Sequence, residues 1–228
     1  VSIYQKIRNN FSNSILLESS DYGANDNSYA YICFNPISYI SIKNLNIEIE
    51  YPDMNESFEI KKRREVVHQI NKFCKSFKCK IENKKFINNG VFGYINYDSV
   101  KYFEDIEVDC KNDNIDIPDI YYAFYSNIIV INVFNNEAII YNHSFKTPSN
   151  INQISDLIFN EKVPNYPFKK CGKIKTNMKD KDYLNLVKKG IKHCYRGDVF
   201  QIVLSRRFEQ NFVGDEFKLY RALRSINP

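Results

Sequence analysis

Three short runs rich in β-branched and aromatic residues, 29–34, 37–42 and 45–51, follow one another with only Asn35-Pro36 and Lys43-Asn44 between them. Runs of this composition bounded by turn-forming pairs read as successive strands. The first half of the chain therefore has to be built on a sheet. Its other segments agree. Residues 15–21 form an apolar strand that ends in an acid and a hydroxyl. Residues 90–98 are an aromatic strand with Gly90 and Gly93 three apart, a sign of close backbone approach or a bulge. Residues 123–134 and 137–143 form a hairpin around Asn135-Asn136. Helices are expected at 2–8, at 98–103, at 151–159 and at 59–77, where Ile70, Phe73, Cys74 and Phe77 recur at helical spacing. Strands with a few interspersed helices make this an α+β domain.

Residues 164–178 hold two prolines with Val163 before them, several lysines and little periodicity, and read as a linker between 1–163 and 179–228. In the second part, Tyr183, Val187, Ile191 and Cys194 share a helix face, and Gly197 is placed to end that helix at its C′ position. Asp215 is placed to N-cap a second helix, with Phe217, Tyr220 and Leu223 on one face. Between the helices, 199–208 reads as a strand. Alternation puts Phe200, Ile202 and Leu204 on one face and Val199, Gln201, Val203 and Ser205 on the other. Gln201 thus places a polar group where a plain core strand would carry Val or Ile. A half-buried strand with one hydrogen-bonded glutamine satisfies the same pattern.

Composition excludes several classes. The chain has 228 residues, 43% hydrophobic and 26% charged, enough for one large or two small domains. No apolar run approaches the ~18 residues of a membrane span. The first residues lack the charged start and apolar core of a secretory signal. Net charge is +5, but only 61–64, Lys-Lys-Arg-Arg, forms a basic run, so no nucleic-acid stripe is present. The six cysteines include no Cys-x-x-Cys pair and there are three histidines, which argues against a zinc site and for reduced thiols in the cytoplasm. The sequence starts at Val1 rather than Met and ends at Pro228 just after an expected helix, so a piece of a longer chain is expected.

A helix, then Gly197-Asp198-Val199-Phe200-Gln201-Ile202-Val203-Leu204-Ser205-Arg206-Arg207-Phe208, an acidic turn, and Leu219-Tyr220-Arg221-Ala222-Leu223-Arg224 before Asn227-Pro228 is a specific pattern. It resembles the start of the chorismate-binding catalytic domain, most closely that of the anthranilate synthase component I family. Leu16-Leu17-Glu18-Ser19 resembles that family's N-terminal tryptophan-binding motif, and Gly90 to Asp98 its glycine-tyrosine strand. The three motifs occur in the family's order and cover essentially the whole chain.

The resemblance implies a two-layer α/β sandwich. Residues 1–163 would be a regulatory, tryptophan-binding domain and 179–228 the beginning of the catalytic domain. It implies conversion of chorismate and ammonia to anthranilate and pyruvate with Mg2+, the metal orienting the carboxylate and stabilising developing charge. The metal ligands, the catalytic histidine and most chorismate contacts would lie beyond residue 228, so residues 1–228 are not expected to catalyse anything by themselves. Glu18 and Ser19 would bind the ammonium group of feedback tryptophan, against a Pro-Tyr-Met segment that begins past Pro228. Some members carry a lysine about ten residues after the serine, where this chain has Asn27, Ser28 or Tyr29. Gln201 would stand on the substrate side. Relatives that add water to chorismate carry a lysine there, because water needs a base. Ammonia needs none, and a glutamine orients without taking a proton. No Gly-x-Cys-x-Gly elbow or His-x-Glu pair is present, so a separate glutamine amidotransferase subunit is implied. The competing readings are aminodeoxychorismate synthase component I, which commonly has Asn where this chain has Val203, and a non-catalytic tryptophan-sensing remnant.

Overall fold

The structure is a computed structural model that describes residues 1–18, 28–79, 84–106, 116–146, 148–160 and 162–226. The chain divides into two compact units, Val1–Pro164 and Asn165–Pro228.

Among the described residues the first unit is built on a seven-stranded antiparallel sheet. Its centre is one long pair, β2 (Tyr29–Lys43) and β6 (Ile120–Asn132), in register from Tyr29–Asn132 to Ile42–Ile120. At one end of the pair the sheet continues through β3 (Asn46–Tyr51) and β4 (Met54–Glu59) on one side and β5 (Val91–Ile95) on the other. At the other end β1 (Ile15–Leu17) pairs with β2, and β7 (Glu137–Asn142) with β6. Helices α1 (Ser2–Asn10), α2 (Glu65–Lys75) and α3 (Ile151–Asn160) pack on it, and a 3-10 turn (Tyr97–Tyr102) follows β5.

Residues 29–43 are one strand rather than two joined by a turn. Asn35 takes φ +60°, a conformation asparagine tolerates, and the register shifts by one residue between Pro36 and Ser38. Such a bulge moves later side chains to the other face. Ile32 and Phe34 accordingly pack with Ile7 of α1 and Ile154 of α3, while Ile40 and Ile42 pack with Val66 and Phe73 of α2. One strand thereby serves two helical layers.

The helix expected at 59–77 begins only at Glu65. Residues 54–59 form β4, because the turn at Pro52-Asp53 returns the chain to pair along β3. The hairpin at Asn135-Asn136 forms as expected, with Asn136 at φ +56° and the Asn132 side chain accepting the amides of Phe134 and Asn135.

In the second unit, β8 (Phe168–Thr176) and β9 (Phe208–Gly214) form a two-stranded ribbon, followed by α5 (Glu216–Ile226), and α4 (Asp180–Tyr195) lies between them in sequence. The stretch expected as a linker thus carries a strand. Both faces of β8 are largely exposed, so it lacks the alternation by which strands are recognised, and its partner lies about thirty residues on. Asp215 caps α5 as expected, its Oδ1 accepting the Phe217 amide at 3.1 Å. No helix among the described residues is long and apolar enough to cross a membrane.

Candidate functional site

Residues 199–207 form no strand and pair with none among the described residues; of the strand expected at 199–208 only Phe208 joins a ladder. An apolar alternating run becomes a strand when its amides and carbonyls find a partner, and β8 offers its edge only to 208–214. Residues 199–207 instead run back along α4. Gly190 of α4 makes room for them: a Cβ there would lie 3.2 Å from Leu204 Cδ1 and 3.5 Å from Ile202 Cγ2. Tyr183 donates its hydroxyl to the Leu204 carbonyl at 3.3 Å. Arg206 reaches Asp180 in the first turn of α4 at 2.6 Å, and its guanidinium lies 4.8 Å from the Phe208 ring centroid. The amides of Arg207 and Asn177 complete the anchorage, each bonding the other residue.

The reversal at the end of α4 follows from local chemistry. Gly197 takes φ +78° and its amide bonds the Cys194 carbonyl, as a C′ glycine should. The Asp198 carboxylate accepts from His193 Nδ1 at 2.8 Å and pairs with Arg196. Hydrogen bonds from Arg196 and His193 hold its pKa below the usual carboxylate range. With Ile202 and Leu204 on the helix, Gln201, Val203 and Ser205 point outward, and Gln201 is exposed. Phe200 is fully exposed. Gly190 was not among the residues picked from the sequence. A glycine inside an otherwise regular helical pattern was the available signal.

Glu18 belongs to the first unit, half-buried just after β1. Ser19 lies outside the described residues, as do Asn27, Cys110 and residues 227–228. Gln201 belongs to the second unit.

The glycine-tyrosine strand is β5 with the 3-10 turn after it. Its position depends on Asp119, which belongs to none of the motifs read from the sequence. Asp119 is 8% exposed at the start of β6. Its Oδ2 accepts from the Tyr102 hydroxyl at 2.6 Å, the Asn44 amide at 3.1 Å and Lys101 Nζ at 3.0 Å, and its Oδ1 from Asn96 Nδ2 at 3.1 Å. Burial alone would raise its pKa, but these donors outweigh it and hold the carboxyl below its usual range. Burial, and then the bond to Asp119, push the Tyr102 phenol up. Asn96 also caps the 3-10 turn, accepting the Ser99 amide at 2.9 Å.

Among the described residues no three His, Cys, Asp or Glu side chains converge as a metal site would require.

A family model described as chorismate binding enzyme matches residues 14–228. The chain belongs to the chorismate-binding enzyme family. Within it, the chain is similar to proteins named anthranilate synthase component 1. It is 25% identical over 227 residues to that of Methanothermobacter thermautotrophicus, covering 99% of this chain and 45% of that protein. It is 27% identical to that of Aquifex aeolicus, covering all of this chain and 48% of the relative. The chloroplastic anthranilate synthase alpha subunit 1 of Oryza sativa is 30% identical over 163 residues, 61% of this chain. Against the crystal structure of anthranilate synthase component I from Streptococcus pneumoniae the TM-score is 0.58 at 19% identity, over 95% of this chain and 48% of that one. That likeness establishes the mixed α/β fold. The chain spans about half the length of the component I relatives that it matches end to end.

Proposed function

We propose that residues 1–228 are the regulatory domain and the opening of the catalytic domain of an anthranilate synthase component I working in the cytoplasm. The complete enzyme would convert chorismate and ammonia to anthranilate and pyruvate, with ammonia from a glutamine amidotransferase subunit, magnesium held by residues outside 1–228, and tryptophan as feedback inhibitor. The observation that carries this reading is the family match from residue 14 to residue 228, with component I relatives aligned across both units. The second unit supports it. Phe200, Val203, Phe208, Val213, Leu223 and Ile226 are all more than half exposed, a surface that suits a domain completed by further polypeptide. Residues 199–207 suit it too, an apolar-rich segment whose backbone joins no ladder among the described residues.

The reaction sets the test. The complete enzyme with chorismate, magnesium and ammonia is expected to release anthranilate and pyruvate in equal amounts. Accumulation of aminodeoxychorismate without pyruvate rejects the reading. Gln201 is assigned to orienting substrate by hydrogen bonding, without proton transfer. In the complete enzyme, Gln201→Ala is expected to lower kcat/KM about 10- to 100-fold, the loss of one or two substrate hydrogen bonds, without moving the pH profile. A displaced pH optimum would instead show an acid or base at this position. Glu18 and Ser19 are assigned to tryptophan. Ser19→Ala is expected to weaken inhibition by tryptophan about tenfold while uninhibited turnover stays nearly unchanged. Unchanged inhibition removes Ser19 from the site.

A further inference from the structure

One face of the sheet in the first unit has a composition that the proposed reaction does not use. At the end of the sheet packed by α2, β3 turns Ile47 and Ile49 toward the helix and leaves Glu48 and Glu50 exposed on the opposite face. On that face Tyr39 of β2 stands opposite Glu50, and Ser41 opposite Glu48. Tyr121 of β6 stands opposite Ser41, and Tyr94 of β5 opposite Tyr121. The rings form a ladder across three strands. Tyr39 and Tyr121 have centroids 5.6 Å apart at 26°, and Tyr121 and Tyr94 6.2 Å apart at 25°. The carboxylates cluster at one end of the ladder, where the Tyr39 hydroxyl donates to Glu48 Oε1 at 3.3 Å.

An antiparallel sheet can leave one face to water, and such a face ordinarily mixes both signs of charge. Here the two carboxylates share a face two positions apart, and Lys43, the next β2 residue on that face, is already paired with Asp116. Neither forms an ion pair with a Lys, Arg or His among the described residues, and their β4 neighbours on this face, Ser57 and Asn55, are neutral. Burial, and then Glu48 and Glu50, raise the Tyr39 phenol to about 12. The patch is thus negative and aromatic at once. Its rings are already ordered against one another, so little side-chain freedom remains to be lost on binding. Tyrosine is enriched in the central contacts of protein interfaces. A guanidinium matches both parts of the patch. It stacks flat on an aromatic face and takes a carboxylate through two parallel N–H bonds, whereas an ammonium offers only a point charge.

We propose that this face, Glu48, Glu50, Tyr39, Tyr121 and Tyr94, docks an arginine-bearing segment of a partner polypeptide. The probe is a capped Gly-Arg-Gly-Arg-Gly peptide titrated into residues 1–228 by calorimetry at low ionic strength, beside the same peptide with lysine in place of arginine. The arginine peptide is expected to bind at least fivefold more tightly than the lysine peptide. The Glu48→Gln/Glu50→Gln double variant, both sites exposed and away from the core, is expected to weaken binding at least tenfold with unchanged thermal stability. Tyr94→Leu is expected to erase the preference for arginine. Three results overturn the proposal: no heat of binding up to about 10 mM peptide, where even a Kd of about 1 mM would register; unchanged affinity in the double glutamine variant; or equal affinity for the two peptides.

Discussion

Alanine at position 93 is expected to destabilise the first unit by about 3 kcal/mol or more, a large part of the 5–15 kcal/mol typical of a domain. Gly93 sits in β5 directly opposite Tyr122, where the strands approach closely. A Cβ built there overlaps the Tyr121 carbonyl oxygen and lies 2.8 Å from that carbonyl carbon and 2.9 Å from Tyr122 Cα. Carbon contacts are favourable only from about 3.5 Å outward. The opposing atoms are backbone, so no rotamer relieves the overlap and β5 has to move. Among the described residues β6 is its only partner in the sheet, so no second strand there holds it. Movement would draw Phe92, 6% exposed, out of its packing against Ala123 and Tyr125 and would shift the 3-10 turn that follows. The entropic gain of alanine over glycine in the unfolded chain, about 0.4–1 kcal/mol, offsets only a fraction. Urea unfolding followed by circular dichroism measures the loss. A loss under about 1 kcal/mol would mean that β5 is not seated on β6 as closely as the geometry requires.

Gly93 also shows what the sequence could reveal. Two glycines in an aromatic run pointed to a close approach or a bulge; Gly93 makes the close approach, while Gly90 precedes β5 with open space at its Cβ position. The features read correctly share this local character: the hairpin at Asn135-Asn136, the glycine after α4, the aspartate before α5. Each depends on residues within a few positions of one another. The features missed depend on partners far along the chain. The bulge at Pro36 exists because β2 is paired with β6, some ninety residues on, and a proline after an asparagine looks the same in a turn. Residues 199–208 have the alternation of a strand and keep its two faces, with Ile202 and Leu204 on α4 and Gln201 outward. Alternation specifies which side chains share a side, while a ladder requires a second backbone. The same limit governs the proposed roles. The motif at Leu16 to Ser19 and the run at Gly197 to Phe208 were recognisable as patterns, and the family match spans both. What those residues touch in the complete enzyme involves residues that the patterns do not contain.

Asp119→Asn is expected to cost the first unit about 3–5 kcal/mol, the usual loss when a buried charged partner is removed, and to flatten its acid unfolding. Asparagine keeps the shape of the side chain, so the loss isolates the charge. In either orientation its NH2 group meets donors. Facing one way it meets the Asn44 amide and Lys101, which only donate, beside the Tyr102 hydroxyl, which would have to turn its own proton away to accept; flipped, it meets Asn96 Nδ2. Lys101 would also be left without its counter-ion, its side chain 15% exposed. The knot joins the β2–β3 turn, the start of β6 and the 3-10 turn, over sequence separations of 75, 23 and 17 residues, so one substitution loosens three connections. The sign of the pH effect follows from the depressed pKa. A carboxyl whose folded pKa lies below its unfolded value of about 3.9 binds its proton more readily when unfolded. Its contribution is fully present above that value and is lost as pH falls through the folded pKa. The native chain should therefore lose stability steeply below about pH 4, while the variant, already weakened at pH 7, should show a shallower slope over the same range. Urea midpoints measured from pH 7 down to pH 3 separate the two. Parallel curves would mean that Asp119 is not the carboxylate that sets the acid limb.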